Sequence, residues 1–288
     1  MQDDAALGET LTGDWQWART DDWQPPSELA VDVPHPARMY DYYLGGKDNF
    51  AADREAAERI IAAVPHARLG ARINREFLGR AVAYAAERGV RQFLDIGTGI
   101  PAVGSTSEVA QRVAPDARVV YVDNDPIVLT HARALLANHP VGYTTVIQAD
   151  LRDPAAILDD PGLRQAIDLS QPVALMLVAV LHFIRDEEGA AEVVARLREA
   201  LAPGSLLILS HGSQDFLTPA VVEAMTRVYS TASAPAVLRD RAAVAGFFGD
   251  FELLEPGLVQ LPLWRTEGEA LPDGWREVSA YAGVAVKP

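Results

Sequence analysis

The chain has 288 residues, of which 49% are hydrophobic and 23% charged, a composition that predicts a globular protein with a large core. The absence of cysteine excludes disulfides, cysteine-ligated metals and a thiol nucleophile, and we expect no metal site. The 40 acidic and 25 basic residues give a formal net charge of −15, which argues against nucleic acid as a partner because phosphate is bound mainly by Lys and Arg.

The N-terminal segment, residues 1–33, carries almost half of this charge. It has eight acidic residues and one base, Arg19, together with three tryptophans and no sustained helical or strand period. We interpret it as an acidic arm that is either solvated or docked through its tryptophans. It lacks the features of a signal peptide, and the most apolar stretch, Val173–Ile184, is too short to span a membrane, which takes about 20 helical residues. We therefore expect a cytoplasmic protein without membrane contact.

Residues 34–89 have a helical pattern. Two stretches, Ala51–Ile61 and Ala71–Arg88, are rich in Ala, Glu and Arg, which are strong helix formers. Apolar residues recur in them at three- and four-residue steps, as on one face of a helix. We predict a helical cap or lid in this range.

Residues 90–288 alternate short apolar runs with helical segments, which predicts one doubly wound, Rossmann-like α/β domain with a mostly parallel sheet. Continuous apolar runs such as Ala174–Val178 indicate strands that are covered on both faces. The alternating run Ser279–Val286 is compatible with a last strand in the same sheet. The other main predicted strands are Gln92–Ile96, Arg118–Asp123, Thr144–Asp150, Val173–Val180 and Ser205–His211.

The strongest local signal is the segment Phe93–Pro101, where the first predicted strand meets a helix. Gly97 and Gly99 permit a sharp turn and let a ligand lie directly against the backbone. Ligands of open parallel sheets bind at the carboxyl ends of the strands. The segment therefore predicts a ligand site, with a simple tight turn as the alternative. The helix that follows has a capping-box spacing that begins at Ser105.

Three acidic residues occupy the carboxyl ends of successive predicted strands, where ligands of open parallel sheets bind. Asp95, Asp123 and Asp150 each stand at the predicted carboxyl end of a strand, so we expect them around one crevice. Asp123 lies 24 residues after Gly99, where a carboxylate can accept the hydroxyls of a ribose. Asp150 could accept the exocyclic amine of adenine. The set predicts a site for a nucleoside cofactor.

The residues around the glycine turn favour a cationic cofactor. Asp95 precedes the turn directly and suits a cation better than a diphosphate. Ala102 fits the looser form of the dinucleotide-binding pattern, but Pro101 stiffens the loop and Gly104 comes two residues late for that pattern. S-adenosylmethionine carries a sulfonium and an ammonium group, so we expect it here rather than NAD.

On these residues the sequence resembles the class I S-adenosylmethionine-dependent methyltransferases, and within them a bacterial family known as S-adenosyl methyltransferases. The resemblance covers nearly the whole chain after residue 33. The blocks that carry it are His35–Phe50, Asn74–Leu78, Leu94–Pro101, Val122–Pro126 and Ala149–Asp153.

The resemblance implies a seven-stranded, mostly parallel sheet with an antiparallel last strand, which agrees with the run Ser279–Val286. It also implies S-adenosyl-L-methionine as the cofactor. Where the family often has a third glycine in the turn, this chain has Pro101. The implied cofactor-binding residues are Asp95, Gly97, Thr98 and Gly99 at the methionine moiety, Asp123 and Asn124 at the ribose, and Asp150 and Leu151 at the adenine.

The block His35–Phe50 lies outside the predicted sheet, and its composition suits a place near the cofactor. Its aromatic residues could shield a methyl group from water, and its glycine pair allows close approach of the backbone. Lys47 or Arg38 could pair with the carboxylate of the cofactor. We count Tyr42, Gly46 and Lys47 among the predicted cofactor-binding residues. In the alternative interpretation, the aromatic residues only pack the cap onto the sheet.

The segment after the fourth strand, Val180–Glu188, is expected at the edge where a methyl acceptor must lie. It is similar to a Leu-His-Asp-Trp-type segment of small-molecule O-methyltransferases, whose histidine is the general base. Imidazole has a pKa suited to accepting a proton from a hydroxyl or amine. We therefore predict His182 as the catalytic residue, with His211 as a weaker candidate.

These observations predict a methyltransferase that acts on an unidentified small molecule by O- or N-methylation. No Asn/Asp-Pro-Pro-Tyr segment follows the fourth strand, which disfavours an amino group of a nucleobase or glutamine as acceptor. One alternative is a non-catalytic protein that binds S-adenosylmethionine or S-adenosylhomocysteine as a sensor. The other is an NAD-dependent oxidoreductase. No protein partner is indicated.

Overall fold

Among the described residues, three helices precede the first strand: α1 (Pro36–Leu44), α2 (Ala51–Ala63) and α3 (Ala67–Glu87). The computed structural model describes residues 30–136, 143–266, 268 and 270–288, so the predicted acidic arm lies almost wholly outside the described residues. Helix α1 begins after His35, whose Nδ1 accepts the N–H of Ala37 at 3.3 Å. It ends at Gly45, which takes a left-handed conformation with φ of 82°.

The α/β part follows, with strands and helices in alternation through β5. Its strands are β1 (Gln92–Ile96), β2 (Arg118–Asp123), β3 (Tyr143–Gln148), β4 (Ala174–Val178), β5 (Leu206–Gly212), β6 (Glu252–Leu253), β7 (Val259–Gln260) and β8 (Ala280–Val286). The α-helices of this part are α4 (Thr106–Val113), α5 (Pro126–Leu136), α6 (Pro154–Asp159), α7 (Pro161–Ala166), α8 (Ala190–Glu199), α9 (Pro219–Tyr229) and α10 (Arg241–Gly246).

The strands form one sheet in the order β3-β2-β1-β4-β5-β8-β6, and β7 also pairs with β8. Strands β1 to β5 are mutually parallel, and β8 is antiparallel to β5, β6 and β7. The predicted doubly wound α/β fold with an antiparallel last strand is thus confirmed. The predicted count of seven strands is wrong by one, because the two-residue β7 pairs with Tyr281 and Ala282 of β8.

The carboxyl ends of β1, β2 and β3 meet at one edge of the sheet. Strands β1 and β2 have the predicted bounds, but β3 ends at Gln148 and not at Asp150. A turn starts at Asp150, whose side chain accepts the N–H of Arg152 and whose carbonyl accepts the N–H of Asp153. Asp150 therefore stands in the loop just beyond the strand end.

An apolar layer covers each face of the sheet, as the continuous apolar strands require. On one face, helices α6 to α8 and α10 bury residues such as Leu163, Leu197 and Phe247. On the other face, α3 and α4 pack with Trp264, whose fully buried ring meets Phe77 edge-on at a centroid distance of 5.2 Å. Helix α3 is therefore part of the core of the sheet.

Helices α1 and α2 build a smaller third cluster. Met39 and Tyr43 of α1 and Ile60 of α2 pack there with Tyr229 of α9, and Phe183 contacts the cluster from the segment after β4. These two helices thus lie beside the segment that holds His182. Within the described ranges, no helix is both long and apolar enough to cross a membrane.

Candidate functional site

The loop after β1 has the backbone shape that its glycines allow. Gly97 and Gly99 have φ angles of 73° and 66°, in the left-handed region that favours glycine. A Cβ atom on Gly97 would lie 2.3 Å from Cγ2 of Val180, so the loop passes directly against the segment that follows β4. The N–H of Gly97 donates to the carbonyl of Val122 at 2.8 Å, which fixes the start of the loop on β2.

Asp95 lies at the base of this loop and is 3% exposed. Its Oδ2 accepts the hydroxyl of Thr106 at 2.6 Å, at the start of α4, and its Oδ1 has no hydrogen bond among the described residues. Burial raises the pKa of Asp95 to about 6. The side chain is therefore ionised at neutral pH, with one oxygen open to a cationic ligand.

Asp123 joins the loops that follow β1 and β2. Its Oδ2 accepts the N–H of Gly99 at 2.9 Å, and its Oδ1 accepts the N–H of Asp125 at 3.0 Å. Burial raises the pKa of Asp123 to about 6. Because a carboxylate has about four acceptor positions, Asp123 can still accept hydroxyl groups of a ribose.

Asp150 continues this arrangement on the next strand. Its Oδ2 accepts Nδ2 of Asn124 at 3.3 Å, and both its oxygens accept Nη1 of Arg152, at 3.2 and 3.0 Å. The N–H of Leu151 has no hydrogen bond within the described part of the chain, whereas its side chain lies in the core. The unpaired N–H of Leu151 offers a donor to the edge of an adenine ring, whereas the Asp150 carboxylate already accepts hydrogen bonds from Asn124 and Arg152.

Arg152 links this edge to the segment after β4. Its Nε donates to Glu188 at 2.8 Å, and its Nη2 donates to the carbonyl of Phe183 at 3.3 Å. Sequence reasoning did not single out Arg152 as a site residue, although it lies inside a block that carries the family resemblance. It brings the predicted adenine residues and the predicted acceptor segment together.

His182 lies at that segment with a neutral imidazole. Its Nδ1 accepts the N–H of Gly212 at 3.3 Å, which places the ring proton on Nε2. Burial, and then the nearby charge of Arg239, lower the pKa of His182 to about 4. Nε2 makes no hydrogen bond to any described residue, so it can donate to a bound molecule. The role of His182 as a base stays a prediction.

His211 faces His182 edge-on at a ring centroid distance of 5.4 Å. Its Nε2 accepts Nη1 of Arg239 at 2.8 Å, and its Nδ1 therefore donates to the carbonyl of Gly212 at 2.6 Å. Both nitrogens are thus occupied, and burial holds the pKa of His211 well below its usual value. His211 supports the site and has no free nitrogen for a substrate.

Arg239 was missed by sequence reasoning, and it organises the acceptor segment. The side chain is 5% exposed, and its guanidinium donates to the carbonyls of Leu181 and Ile184 at 3.1 and 2.8 Å. It also donates to Asp186 through Nε and Nη2, at 3.1 and 2.6 Å. These contacts link distant parts of the chain, so no local pattern marks them.

The predicted residues of the block His35–Phe50 have contacts within the helical segment. The hydroxyl of Tyr42 donates to Glu58 at 2.6 Å, and its ring lies 4.7 Å from the guanidinium carbon of Arg68. A Cβ on Gly46 would lie 1.9 Å from Oδ1 of Asp41, so a side chain there would displace the Asp41 carboxylate. The side chain of Lys47 is exposed. Their roles toward a cofactor stay predictions.

A buried group of charges ties α1 and α2 to the loop after β2. Nε of Arg38 lies 3.4 Å from Oδ2 of Asp125, and Nη1 lies 3.8 Å from Oδ2 of Asp53. His35 contacts Asp125 through Nδ1 at 3.2 Å. Because Asp125 also donates its N–H to Asp123, this cluster holds the helical segment against the predicted ribose residue.

The site fits S-adenosylmethionine on these observations. Carboxylates stand at or just beyond the carboxyl ends of three adjacent parallel strands, and hydrogen bonds connect these strand ends and the loops that follow them. Oδ1 of Asp95 and the N–H of Leu151 lack partners within the described ranges, at the two ends of this row. A positively charged group at one end and an adenine at the other would satisfy both.

Comparisons with known proteins identify the family of this chain. A family model of the S-adenosyl methyltransferases matches residues 22–288. A solved structure of a DUF574 family protein from Streptomyces avermitilis MA-4680 is similar at 46% identity and a TM-score of 0.86, covering 90% of this chain and 100% of that one. A proposed methyltransferase from Thermobifida fusca YX is similar at 44% identity and a TM-score of 0.82, covering 91% and 98%.

A more distant structure shares the fold alone. An O-methyltransferase family protein from Burkholderia thailandensis has 15% identity and a TM-score of 0.52, with 95% of this chain and 68% of that one covered. No curated protein matches the chain. The family match extends over nearly the whole sequence and includes every described strand. The chain therefore belongs to the S-adenosyl methyltransferase family, within the class I methyltransferases, and its cofactor is S-adenosyl-L-methionine.

Proposed function

We propose that the chain methylates a hydroxyl or amino group of a small molecule that binds at the carboxyl ends of β4 and β5. The observation that carries the proposal is the contact between the glycine loop after β1, which is predicted to hold the cofactor, and the segment after β4. Gly97 lies directly against Val180, and the open Nε2 of His182 stands two residues further along the chain. An acceptor held by His182 would thus lie next to the glycine loop.

The cofactor supplies an electrophilic methyl group on a positively charged sulfur. In this proposal, Asp95 and the loop of Gly97, Thr98 and Gly99 hold the methionine moiety. The ribose contacts Asp123 and Asn124, and the adenine contacts Asp150 and Leu151. The task left to the protein is mainly to align the acceptor and to exclude water.

Helices α1 and α2 could exclude water from the proposed acceptor site, because they lie beside the segment that holds His182. The cluster that they form includes Met39, Tyr43 and Tyr229, and it contacts Phe183, the neighbour of His182. The ring centroids of Phe183 and Tyr229 are 5.7 Å apart. This apolar wall supports a cover beside the acceptor site that is formed by α1 and α2, whereas α3, the last helix of the predicted range 34–89, packs on the sheet.

His182 can take part in two ways. With its proton on Nε2, the neutral imidazole donates a hydrogen bond that orients the acceptor oxygen or nitrogen. As a general base it would need a lone pair on Nε2, which requires the proton to move to Nδ1 and the contact with Gly212 to break. The hydrogen bond from Gly212 supports the orienting role.

The test is turnover with a panel of phenols, alcohols and amines, measured as formation of S-adenosylhomocysteine. We expect acceptor-dependent product with at least one member and its loss in Asp123→Ala. His182→Gln keeps a donor, so it retains part of the turnover if His182 orients the acceptor, whereas His182→Ala loses it. Equal loss in both variants would support the base role. Cofactor binding without turnover for any acceptor would favour the sensor alternative.

A further inference from the structure

The arginines around the carboxyl ends of the strands are paired with carboxylates, with one exception. Arg38 lies within 4.0 Å of Asp53 and Asp125, Arg152 of Asp150 and Glu188, and Arg239 of Asp186. Arg75 of α3 has no carboxylate of the described residues within that distance. It is therefore a cation at this edge without an ionic partner in the part of the chain that the structure describes.

The contacts of Arg75 place it at the far end of the glycine loop. Its Nη2 donates to the carbonyl of Gly104 at 3.3 Å, and Gly104 in turn donates its N–H to Glu108 at 2.8 Å. Its Nε is buried and has no hydrogen bond. A buried N–H without an acceptor is costly, so the position favours an anionic group that can reach Nε.

Arg75 also lies near Asp95. Burial raises the pKa of Asp95 and of Tyr40, and the charge of Arg75 partly opposes both rises. Arg75 and Asp95 nevertheless form no ion pair, and the Asp95 carboxylate is bonded to Thr106 at 2.6 Å through Oδ2 alone. An unpaired cation and an anion with a free oxygen are thus both tied to the short stretch between Gly104 and Thr106, Arg75 through the carbonyl of Gly104 and Asp95 through the hydroxyl of Thr106.

This pair of charges complements an α-amino acid. The methionine moiety of S-adenosylmethionine ends in an ammonium and a carboxylate on one carbon, so one end of the ligand needs an anion and a cation close together. Of the cations considered from the sequence, Arg38 is already paired with two carboxylates and Lys47 is exposed.

We propose that Arg75 binds the carboxylate of the cofactor's methionine moiety while Asp95 faces its ammonium group. This inference depends on the proposed function, in which the loop of Gly97 and Gly99 holds that moiety. A guanidinium gives two parallel N–H groups to a carboxylate, which adds direction to the attraction. Arg75 would then distinguish the intact cofactor from adenosine derivatives that lack the carboxylate.

The test compares two ligands that differ only in that carboxylate: S-adenosylhomocysteine and its decarboxylated form. Affinities of both are measured by calorimetry for the wild type, Arg75→Gln and Arg75→Lys. We expect Arg75→Gln to weaken binding of S-adenosylhomocysteine by about 10- to 100-fold, as for a lost charge-assisted hydrogen bond. The affinity for the decarboxylated ligand should change less than about twofold.

Two further variants complete the comparison. Arg72→Gln changes an exposed arginine of the same helix and is the matched control, so we expect it to change neither affinity. Lys47→Gln tests the competing cation, and we expect it to leave the preference for S-adenosylhomocysteine over the decarboxylated ligand unchanged. Arg75→Lys keeps the charge, so its loss for S-adenosylhomocysteine should be smaller than that of Arg75→Gln. It also keeps the test usable if Arg75→Gln does not fold, which thermal melting will show.

Three results would overturn the inference. Equal weakening of both ligands in Arg75→Gln would mean that Arg75 only supports the loop, and no weakening would mean that it is not in contact. Selective loss in Lys47→Gln would assign the carboxylate to Lys47. If the wild type does not bind S-adenosylhomocysteine at all, the proposed function fails before Arg75 is tested, so the two failures are distinguishable.

Discussion

Asp123 accepts the backbone N–H of Gly99 at 2.9 Å, so the carboxylate at the end of β2 holds the glycine loop that follows β1. A second N–H, from Asp125, fixes the other oxygen of the same carboxylate. Through Asp125 and Arg38, which lie 3.4 Å apart, the contact continues into helix α1. The Asp123 side chain therefore links the loop that is predicted to bind the methionine moiety of the cofactor with the predicted ribose site and, through Asp125, with helix α1.

Asp123→Ala removes both hydrogen bonds and the acceptor for the ribose. We expect the affinity for S-adenosylhomocysteine, measured by calorimetry, to fall by about 10- to 100-fold, since hydrogen bonds to a charged group contribute about 1.5–3 kcal/mol. Asp116→Ala, at an exposed carboxylate that pairs with Arg91, is the control and should bind as the wild type does. An unchanged affinity in Asp123→Ala would contradict the assignment.

Gly97→Ala tests the contact between the glycine loop and the segment after β4. The new Cβ would lie 2.3 Å from Val180, on a residue with φ of 73°. We expect a loss of unfolding free energy of about 1–3 kcal/mol in urea denaturation, together with weaker cofactor binding.

Further substitutions separate the steric contact with Val180 from the cost of the left-handed backbone conformation. Gly99→Ala meets no atom within 4 Å, so it suffers only the cost of the left-handed backbone. Adding Val180→Gly to Gly97→Ala removes Cβ and both Cγ atoms of Val180, so it should recover the steric part of the loss, with the single variant Val180→Gly as the reference. No recovery in the double variant would show that Gly97 and Val180 are not in contact.

The buried carboxylates predict how stability without cofactor depends on pH. Burial raises the pKa of Asp95 to about 6, above its ordinary value of about 3.9. The folded state therefore binds the proton more tightly than the unfolded state, and the Asp95 contribution to stability falls as pH rises from about 4 to 6.

Asp95→Asn removes this penalty and keeps an oxygen for Thr106. We expect the variant to be more stable than the wild type by about 1–3 kcal/mol at pH 7.5, and the two to be nearly equal at pH 4.5, by urea denaturation. Its affinity for S-adenosylhomocysteine should nevertheless be lower at pH 7.5, because the anion is lost. Lower stability of the variant at pH 7.5 would contradict this account of Asp95.

Substitution of Arg239 should destabilise the protein, although this residue lies outside the predicted cofactor-binding residues. Arg239→Lys leaves the carbonyls of Leu181 and Ile184 without a guanidinium donor, and Nε2 of His211 loses its partner. We expect a loss of at least about 2 kcal/mol in unfolding free energy. Arg227→Lys, in an exposed pair with Glu223, should cost less than about 0.5 kcal/mol; similar values for both variants would refute the organising role.

The sequence predicts well those features that local patterns determine. Strands β1 and β2 have their predicted bounds because each is a mainly apolar run that ends at a glycine turn or at an acidic residue. Ser105 caps α4 as its spacing indicates, accepting the N–H of Glu108. The end of strand β3 is predicted two residues too late, because the side chain of Asp150 starts a turn that its strand-like neighbours do not reveal.

Contacts between distant segments could not be predicted in this way. Arg239 binds the segment of Leu181, and Arg38 binds Asp125, only because the fold brings them together. A two-residue strand such as β7 is too short for a periodic pattern. The same holds for the proton position on His182, which depends on the N–H of Gly212 at 3.3 Å.

The most direct test of the central claim is a calorimetric titration of the full chain with S-adenosylmethionine, S-adenosylhomocysteine and NAD. The row of carboxylates at the ends of β1 to β3 predicts saturable, micromolar binding of the first two ligands and none of NAD. Binding should be lost or strongly weakened in Asp123→Ala and kept in Asp116→Ala. Binding of NAD without binding of S-adenosylmethionine would contradict the account.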